Sequence, residues 1–440
     1  MFEFLFLITM PRAALTSMAS PLISLLIYSI GHGLLTTLLT LRLAEEQVST
    51  FWIGAVSTAY FTGLMAGTFI NSRLILRVGH IRAYSAYASI LCSLALLYGM
   101  FVAPETWLFL RLLGGFATGG LLVVIESWIM VSSPVRIRGR MMALYMVLFY
   151  AAMVIGQMLL KQLDITMLLP FVVAALAASL SVIPLVLSRV DMPHFDKHEK
   201  LSVFALMRMT PTAVFSCFVS GLLLSVAYGL LPLYFSLMGF DLSQITDMVA
   251  WLILGGMCLQ YPVGRLSDRV DRRLVLTALF FATLVISVLF VLLELRDDSW
   301  LTALLVASLG GVIFAIYPIS LSQACDELQP AQIIAGNQGL LLCYSVGAMA
   351  GPLLAPLFIN GFGAKGLFIY FVLLASITVV FLFWRRSVRA PVPLEEHVAF
   401  SATTPNTPVM AELDPRAEGH STDAQEEQPD QRLSPTNDRK

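Results

Sequence analysis

Charged residues are scarce in this chain of 440 residues: 12% are Asp, Glu, Lys or Arg, whereas 58% are hydrophobic. A soluble domain carries about 25% charged residues, which it needs to cover a surface that faces water. The shortage excludes a soluble enzyme, a nucleic-acid-binding protein and a disordered scaffold. It indicates an integral membrane protein, for which the lipid bilayer is the main partner.

Cysteine is also sparse, with five scattered residues and no pair at metal-ligand spacing. An odd, scattered set is not a disulfide framework, so we interpret the thiols as small buried hydrophobic groups. The sequence also lacks a Gly-Lys-Ser/Thr phosphate loop and a Ser/His/Asp constellation. We therefore expect no ATP hydrolysis, no enzyme active site, no metal and no cofactor.

Long apolar runs, by contrast, are abundant. About 20 apolar residues are needed for a helix to cross the hydrocarbon core, and the chain has twelve such runs. They lie at about 18–41, 50–72, 81–103, 106–131, 140–163, 167–188, 211–238, 244–264, 273–294, 300–323, 333–360 and 364–385. The sequence predicts an all-α polytopic membrane protein with twelve transmembrane helices. Trp107 and Trp300 lie near the ends of two runs and are interpreted as interface anchors.

The connections between these runs carry Lys and Arg unevenly. With the N-terminus inside, 18 of these residues fall on the inner side and four, Arg42, Lys161, Arg296 and Lys365, on the outer side. Because Lys and Arg concentrate on the cytoplasmic side, both termini are expected in the cytoplasm. We expect a multi-pass protein of the bacterial cytoplasmic (inner) membrane.

The two halves of the chain resemble each other at an offset of 191 to 197 residues. Gly33 matches Gly229, and the Gly119-Gly120 pair matches Gly310-Gly311. A repeat of six helices about an axis along the membrane normal is a transporter architecture. The repeat predicts two pseudo-symmetric six-helix bundles at 12–189 and 211–386, joined by a cytoplasmic linker at 190–210. Residues 387–440 hold seven prolines and ten acids, so we expect a disordered cytoplasmic tail there.

One connection carries a specific motif. Between the eighth and ninth runs the chain reads Gly264-Arg265-Leu266-Ser267-Asp268-Arg269-Val270-Asp271-Arg272-Arg273. This stretch resembles the signature loop of the major facilitator superfamily, except that Asp271 stands where Gly is usual. The copy after the second run is degenerate, with Gly67, Asn71, Gly79 and Arg82, and has Asn71 where Asp is usual. Together with Arg111-Leu-Leu-Gly-Gly115-Phe-Ala-Thr-Gly119, these motifs place 12–386 within the resemblance.

Several further segments resemble the YcaD-like permeases, a bacterial branch with no settled substrate. They are Ser57-Thr58-Ala59-Tyr60-Phe61-Thr62-Gly63, Glu126-Ser127-Trp128, Arg138-Gly139-Arg140 and Gly156-Gln157. The resemblance implies a transporter that works by alternating access between two rocking halves.

Polar groups at membrane depth are costly and therefore mark candidate sites. Glu126 is the only carboxylate well inside an apolar run. One interpretation is that it takes up and releases a coupling proton; the alternative is a structural carboxylate bonded to backbone or to the inner end of the fifth helix. For Arg111 the resemblance implies a place near the central pathway and a link to coupling or to substrate charge. The alternative is a side chain that reaches the outer interface.

The first helix carries Tyr28, His32 and Thr36 on one face, and in this superfamily that helix lines the central cavity. His32 is a candidate for binding substrate or relaying protons, or else a packing residue. Further candidates are aromatic or amide side chains suited to mixed apolar and polar cargo, or to interhelical packing. They are Tyr60, Tyr150, Gln157, Tyr228, Tyr317 and Tyr344.

The signature loops predict a gate at the inner side. Asp268 is expected to contact the start of the fifth helix and Arg136, Arg138 or Arg140 in the outward-open state, with Asn71 facing 333–337. The remaining gating candidates are Gly264, Arg269, Arg272, Arg273, Gly67, Gly79 and Arg82.

These features predict a secondary active transporter of a small organic solute, with proton coupling expected from Glu126 and His32. The alternative is a non-transporting membrane sensor or scaffold on the same fold. We expect a monomer that binds a small-molecule substrate and protons but no nucleic acid.

Overall fold

The computed structural model describes residues 12–132, 138–188, 203–293, 300–329 and 332–388, together with 393, 397 and 400. Within these residues, twelve helices are long and apolar enough to cross a membrane. They are α1 (Arg12–Glu45), α2 (Thr50–Val78), α3 (His80–Met100), α4 (Pro104–Ser132), α5 (Arg138–Leu160), α6 (Leu169–Leu180 and Val182–Val186), α7 (Pro211–Leu237), α8 (Leu242–Ser267), α9 (Arg272–Leu292), α10 (Trp300–Glu327), α11 (Ile333–Phe362) and α12 (Gly366–Val388). The predicted all-α class is confirmed.

Local sequence explains where several of these helices begin. The Asp241 carboxylate accepts from the backbone N–H of Gln244, whose side chain in turn accepts from the Asp241 N–H, which closes a capping box at the start of α8. Asp271 caps α9 in a similar way by accepting from the N–H of Arg273. Gly79 separates α2 from α3. Its φ of 89° is a backbone conformation that residues other than glycine rarely adopt.

The twelve helices form two six-helix bundles with the same internal packing. In the first bundle α1 packs on α5, α2 on α4, and α3 on α6. In the second bundle the equivalent pairs are α7 with α11, α8 with α10, and α9 with α12. The repeat in the sequence therefore corresponds to a repeat in three dimensions.

Glycines allow the tightest of these pairs to form. A Cβ at Gly63 would collide with the carbonyl oxygen of Leu112, and one at Gly115 with that of Tyr60. The α8–α10 pair uses Gly255 and Gly310 in the same way. Small residues let helix backbones approach where the surroundings supply no hydrophobic driving force between helices.

We call the end of the molecule that carries the Arg-rich connections the basic end, and the other end the opposite end. Hydrogen bonds and an ion pair join the two bundles towards the opposite end. Thr40 Oγ1 donates to the Gly229 carbonyl at 2.8 Å, and Thr58 Oγ1 donates to that of Met349 at 2.9 Å. Thr50 Oγ1 donates to Asn360 Oδ1 at 2.6 Å. Between α5 and α8, Lys161 Nζ lies 2.7 Å from Asp247 Oδ2.

Of the two tryptophans interpreted as interface anchors, one differs from the expectation. Trp300 is 77% exposed, which suits an interface anchor, but Trp107 is fully buried. The prediction for Trp107 is wrong because its ring packs between Tyr98 and Phe171 and its Nε1 donates to the Phe101 carbonyl at 2.6 Å.

The predicted linker contains a short helix, Val203–Met209, and its residues 190–202 lie outside the described part. Leu206 of this helix is buried against Gly339 of α11. Of the predicted tail, α12 includes 387–388, and only 393, 397 and 400 are described beyond it.

Candidate functional site

A cavity of about 840 Å³ lies between the two bundles. Helices α1, α2, α4 and α5 supply one wall, and α7 and α11 supply the other. Along α1 and α11 its lining residues lie nearer the basic end than Thr40 and Met349, which join the bundles. On α2 the lining begins at Ser57, level with the contact of Thr58. Seven predicted candidates line it: Tyr28, His32, Tyr60, Arg111, Tyr150, Tyr228 and Tyr344.

The first-bundle side of the cavity is a connected group of polar rings. Tyr28 stacks on His32 with ring centroids 5.6 Å apart, and its hydroxyl lies 2.8 Å from Thr118 Oγ1. His32 Nε2 lies 3.4 Å from the Tyr60 hydroxyl. The one-turn spacing of Tyr28 and His32 on α1 places both rings on the face that meets α2 and α4.

Arg111 is the charged member of this group. Its guanidinium carbon lies 4.4 Å from the centroid of the Tyr60 ring, and the residue is only 6% exposed. Arg111 thus faces the cavity and does not reach the surface. It also lines a smaller adjoining cavity of about 430 Å³ within the first bundle, which Tyr28, His32, Tyr60 and Thr118 share.

The rest of the wall is largely aromatic. Tyr150 of α5 and Tyr228 of α7 each lie 5.4 Å from the ring of Phe314 on α10. Tyr344 contacts Tyr317 at 5.2 Å. Tyr317 lies behind Tyr344 and is not part of the lining, so the structure gives it a packing position.

Glu126 and Gln157 also lie outside the cavity lining. Glu126 is fully buried, and its Oε1 accepts from the hydroxyl of Tyr145 on α5 at 2.7 Å. Gln157 Nε2 donates to the Gly33 carbonyl on α1 at 2.7 Å. Both side chains therefore join neighbouring helices of the first bundle, and the coupling role of Glu126 remains a prediction.

The signature loop at the basic end is tied to its own bundle. Arg272 is fully buried, with Nη2 3.1 Å from Asp268 Oδ1 and Nη1 3.3 Å from Asp326 Oδ1. Arg273 Nη2 lies 2.6 Å from Glu327 Oε1. These two arginines fix the start of α9 to the end of α10.

A tail residue also contacts this loop. The backbone N–H of Phe400 donates to Asp268 Oδ1 at 2.9 Å, and the Phe400 ring packs on Gly264. In this conformation the described partners of the Asp268 carboxylate are thus Arg272 and Phe400, not α5. Arg269 is exposed beside them.

The degenerate copy of the signature loop, in the first bundle, also contacts only its own bundle in the described bonds. Asn71 Nδ2 donates to the Phe116 carbonyl on α4 at 2.9 Å, and Gly67 packs beneath the same carbonyl. Asn337 instead accepts from Cys325 Sγ at 3.6 Å. Arg82 and Arg140 are exposed at the basic end, whereas Arg136 and the side chain of Arg138 lie outside the described part.

Sequence reasoning missed some residues of the site. Thr118 and Phe149 line the cavity, and Thr118 follows Arg111 by seven residues, so the helical period identifies it as a neighbour on the same face. Asp326 and Glu327, which hold the two arginines, end a long apolar run and give no signal by spacing alone.

The family model of the Major Facilitator Superfamily matches residues 5–341. The chain belongs to the major facilitator superfamily. Curated relatives agree. The chain is 32% identical over 379 residues to the uncharacterized MFS-type transporter Ent638_1421 of Enterobacter sp. (strain 638), covering 85% of this chain and 96% of that protein. It is also 32% identical over 362 residues to the uncharacterized MFS-type transporter YcaD of Shigella flexneri, covering 81% and 92%.

Solved structures share the superfamily fold. The nucleoside transporter NupG matches with a TM-score of 0.66 and 18% identity, covering 84% of this chain and 98% of that one. A bacterial homologue of the human lysosomal transporter Spinster, in an inward-facing and unoccupied conformation, matches with a TM-score of 0.67 and 14% identity, covering 88% and 99%. As a superfamily member, this chain is a multi-pass membrane transporter and not an enzyme.

Proposed function

We propose that this transporter carries a small organic solute across the membrane by alternating access, as a secondary active transporter. The observation that supports this most is the central cavity, because both bundles line it and the hydrogen bonds and ion pair that join them lie at its edge or beyond it, towards the opposite end. A site at the interface of two repeats can be exposed to each side in turn when the bundles rock.

The polar contacts at the opposite end are individually weak enough to break in a transport cycle. Three neutral hydrogen bonds contribute about 0.5–1.5 kcal/mol each, and the part-exposed Lys161–Asp247 pair adds about 0.2–1 kcal/mol. A difference of a few kcal/mol between two states is within the range that a bound solute can reverse.

The basic end is assigned to the cytoplasm on the distribution of Lys and Arg. On that assignment the conformation described here faces inward, since the bundles meet at the outer side. A fluorescent protein fused after Lys440 should then fold and fluoresce in cells. Alkaline phosphatase activity from a fusion at the same site would reverse the assignment.

In the outward-open state we propose that Asp268 exchanges partners. Its carboxylate would leave Phe400 and contact the start of α5, where a helix N-terminus favours negative charge. Asn71 would leave the Phe116 carbonyl and face the start of α11 by the same pseudo-symmetry.

Proton coupling is assigned to His32 and Glu126. His32 lies in the cavity wall where a solute binds, and Glu126 lies between α4 and α5, which changes its surroundings if those helices move. A Glu126→Gln or His32→Gln protein should bind solute but not accumulate it against its gradient. Uphill accumulation by both variants under an imposed pH gradient would contradict this assignment.

Solute flux in proteoliposomes tests the main proposal. A thermal-shift screen of metabolites and toxic organic compounds on the purified chain first identifies a solute that binds. The wild type should then take up that solute, and Thr118→Trp, which fills the cavity, should not. If a solute binds but none crosses, while binding alters capture of a cytoplasmic partner, the chain is a sensor on this fold.

A further inference from the structure

Arg111 stands out among the groups of the central cavity because it is a buried charge without an opposite charge. Of the described residues that line the two adjoining cavities, it alone carries a permanent charge, and neither lining contains Asp or Glu. Its Nε atom is buried and has no hydrogen-bond partner in the described chain. The contact that the structure does provide is the face of the Tyr60 ring.

This arrangement is costly in the empty protein. A guanidinium stays protonated at any accessible pH, so it cannot lose its charge on burial. A cation–π contact offsets part of the lost hydration, but a charge removed from water is normally matched by an opposite charge or by several hydrogen bonds. Neither carboxylate of α4 serves as that partner in the described contacts, since Glu105 is exposed in the first turn of the helix and Glu126 is engaged with Tyr145. The missing partner is therefore expected in the ligand.

The remaining lining defines the other end of that ligand. Tyr228 of α7 and Tyr344 of α11 line the second-bundle wall, and Tyr150 of α5 adds a third ring that shares the contact of Tyr228 with Phe314. We call these three residues the tyrosine wall. Beside Arg111 lie the hydroxyls of Tyr28 and Tyr60 and the imidazole of His32, which can donate hydrogen bonds to an oxygen acceptor. The cavity is thus cationic and donor-rich on one side and aromatic on the other.

We propose that the transported solute is an aromatic organic anion whose carboxylate binds Arg111 and whose ring system packs against the tyrosine wall. This inference rests on the proposed transport function and specifies its substrate class. A carboxylate fits the guanidinium because two parallel N–H···O bonds can form between the two planar groups. The ligand lies across the two bundles, so its binding energy depends on both walls at once.

Matched ligands test the charge directly. The probes are phenylacetate, 1-naphthoate and indole-3-acetate, each beside its uncharged carboxamide and its amine of similar shape. Binding to the full-length purified chain is measured by thermal shift and by equilibrium binding of the radiolabelled compound. We expect the wild type to bind at least one carboxylate roughly tenfold or more tightly than its carboxamide, since a charge-assisted pair is about twice as strong as a neutral one.

Variants then locate the effect. Arg111→Gln should bind the acid and the amide equally, and Arg111→Lys should keep part of the preference through its charge. Arg385→Gln is the matched control, because Arg385 also lies over an aromatic ring, Trp384, but at the basic end of α12 and outside both cavities. It should bind as the wild type does. If Arg111→Gln does not fold, the comparison of acid with amide in the wild type and in Arg111→Lys still tests the inference. A preference for the acid that is the same in both proteins would then count against bidentate binding by Arg111.

The outcomes separate this inference from the function on which it rests. Equal binding of acid and amide by the wild type, an undiminished preference in Arg111→Gln, or no binding by any carboxylate in the panel would overturn it. Uptake of the amide or the amine without the acid would uphold transport but overturn the anion assignment. Selective acid binding without flux of any compound would uphold the anion site and count against transport.

Discussion

Two buried ionisable residues of α4, Arg111 and Glu126, have different surroundings. Arg111 faces a cavity in which none of the described lining residues is acidic, whereas Glu126 accepts a hydrogen bond from Tyr145. A charged group that lines a cavity can bind a ligand. One that is bonded between helices contributes to how those helices pack, and any further role requires those helices to separate.

Removing the Tyr145 hydroxyl should therefore destabilise the first bundle. Removing one partner of a buried hydrogen bond costs about 1–3 kcal/mol, so Tyr145→Phe is expected to lower the unfolding temperature measurably in detergent. Tyr261→Phe is the control because Tyr261 is 39% exposed on α8. An unchanged unfolding temperature for Tyr145→Phe would show that the Glu126 contact contributes little.

The sequence predicts some residues of the site correctly and assigns others to it that lie outside the cavity lining. Tyr28, His32 and Arg111 were found because polar groups are rare at membrane depth, so each one is conspicuous. Tyr317 and Gln157 were equally conspicuous but serve interhelical contacts, which the sequence of one helix cannot distinguish from a cavity wall. That distinction depends on which helix faces which.

At the scale of helices, the closest packing occurs where glycines meet backbone carbonyls. The α2–α4 pair uses Gly63 and Gly115, and the α8–α10 pair repeats the arrangement with Gly255 and Gly310. These glycines are visible in the sequence, but the carbonyls that they approach belong to other helices and are known only from the fold.

A single methyl group tests this packing. Gly115→Ala should cost about 1–3 kcal/mol, because the new Cβ would meet the Tyr60 carbonyl oxygen and force α2 and α4 apart. Gly361→Ala is the matched control, since no atom lies within 4 Å of its Cβ position. Equal unfolding temperatures for the two variants would mean that the α2–α4 interface accommodates the methyl group without loss of stability.

The contact of Phe400 with the α8–α9 connection gives a second prediction for this scale. The Phe400 ring packs on Gly264 and holds the Phe400 N–H against Asp268, so we expect Phe400→Ala, which removes the ring, to favour the state in which Asp268 contacts α5. Spin labels on Leu76 and Leu266, exposed near the basic ends of α2 and α8, should then show more of the shorter distance. Val388→Ala, an exposed change on α12, should leave the distances as in the wild type, and identical distributions for all three proteins would refute this role for Phe400.

At the scale of the whole molecule, much was predictable. Twelve helices, the two-bundle repeat and the superfamily follow from apolar run length, offset and loop motifs, which are properties of the chain itself. The conformation could not be predicted, because under the proposed alternating access one sequence serves two states. The partners of Asp268 and Asn71 belong to one such state, and so do the contacts at the opposite end.

A reversible cross-link at the opposite end tests alternating access through the central cavity most directly. Thr50 and Asn360 contact each other across the two bundles at 2.6 Å, so Thr50→Cys with Asn360→Cys, in a chain whose five native cysteines are replaced by alanine, should form a disulfide. We predict that oxidation abolishes solute flux in proteoliposomes, that reduction restores it, and that each single-cysteine chain is unaffected. Full flux through the cross-linked protein would contradict the account.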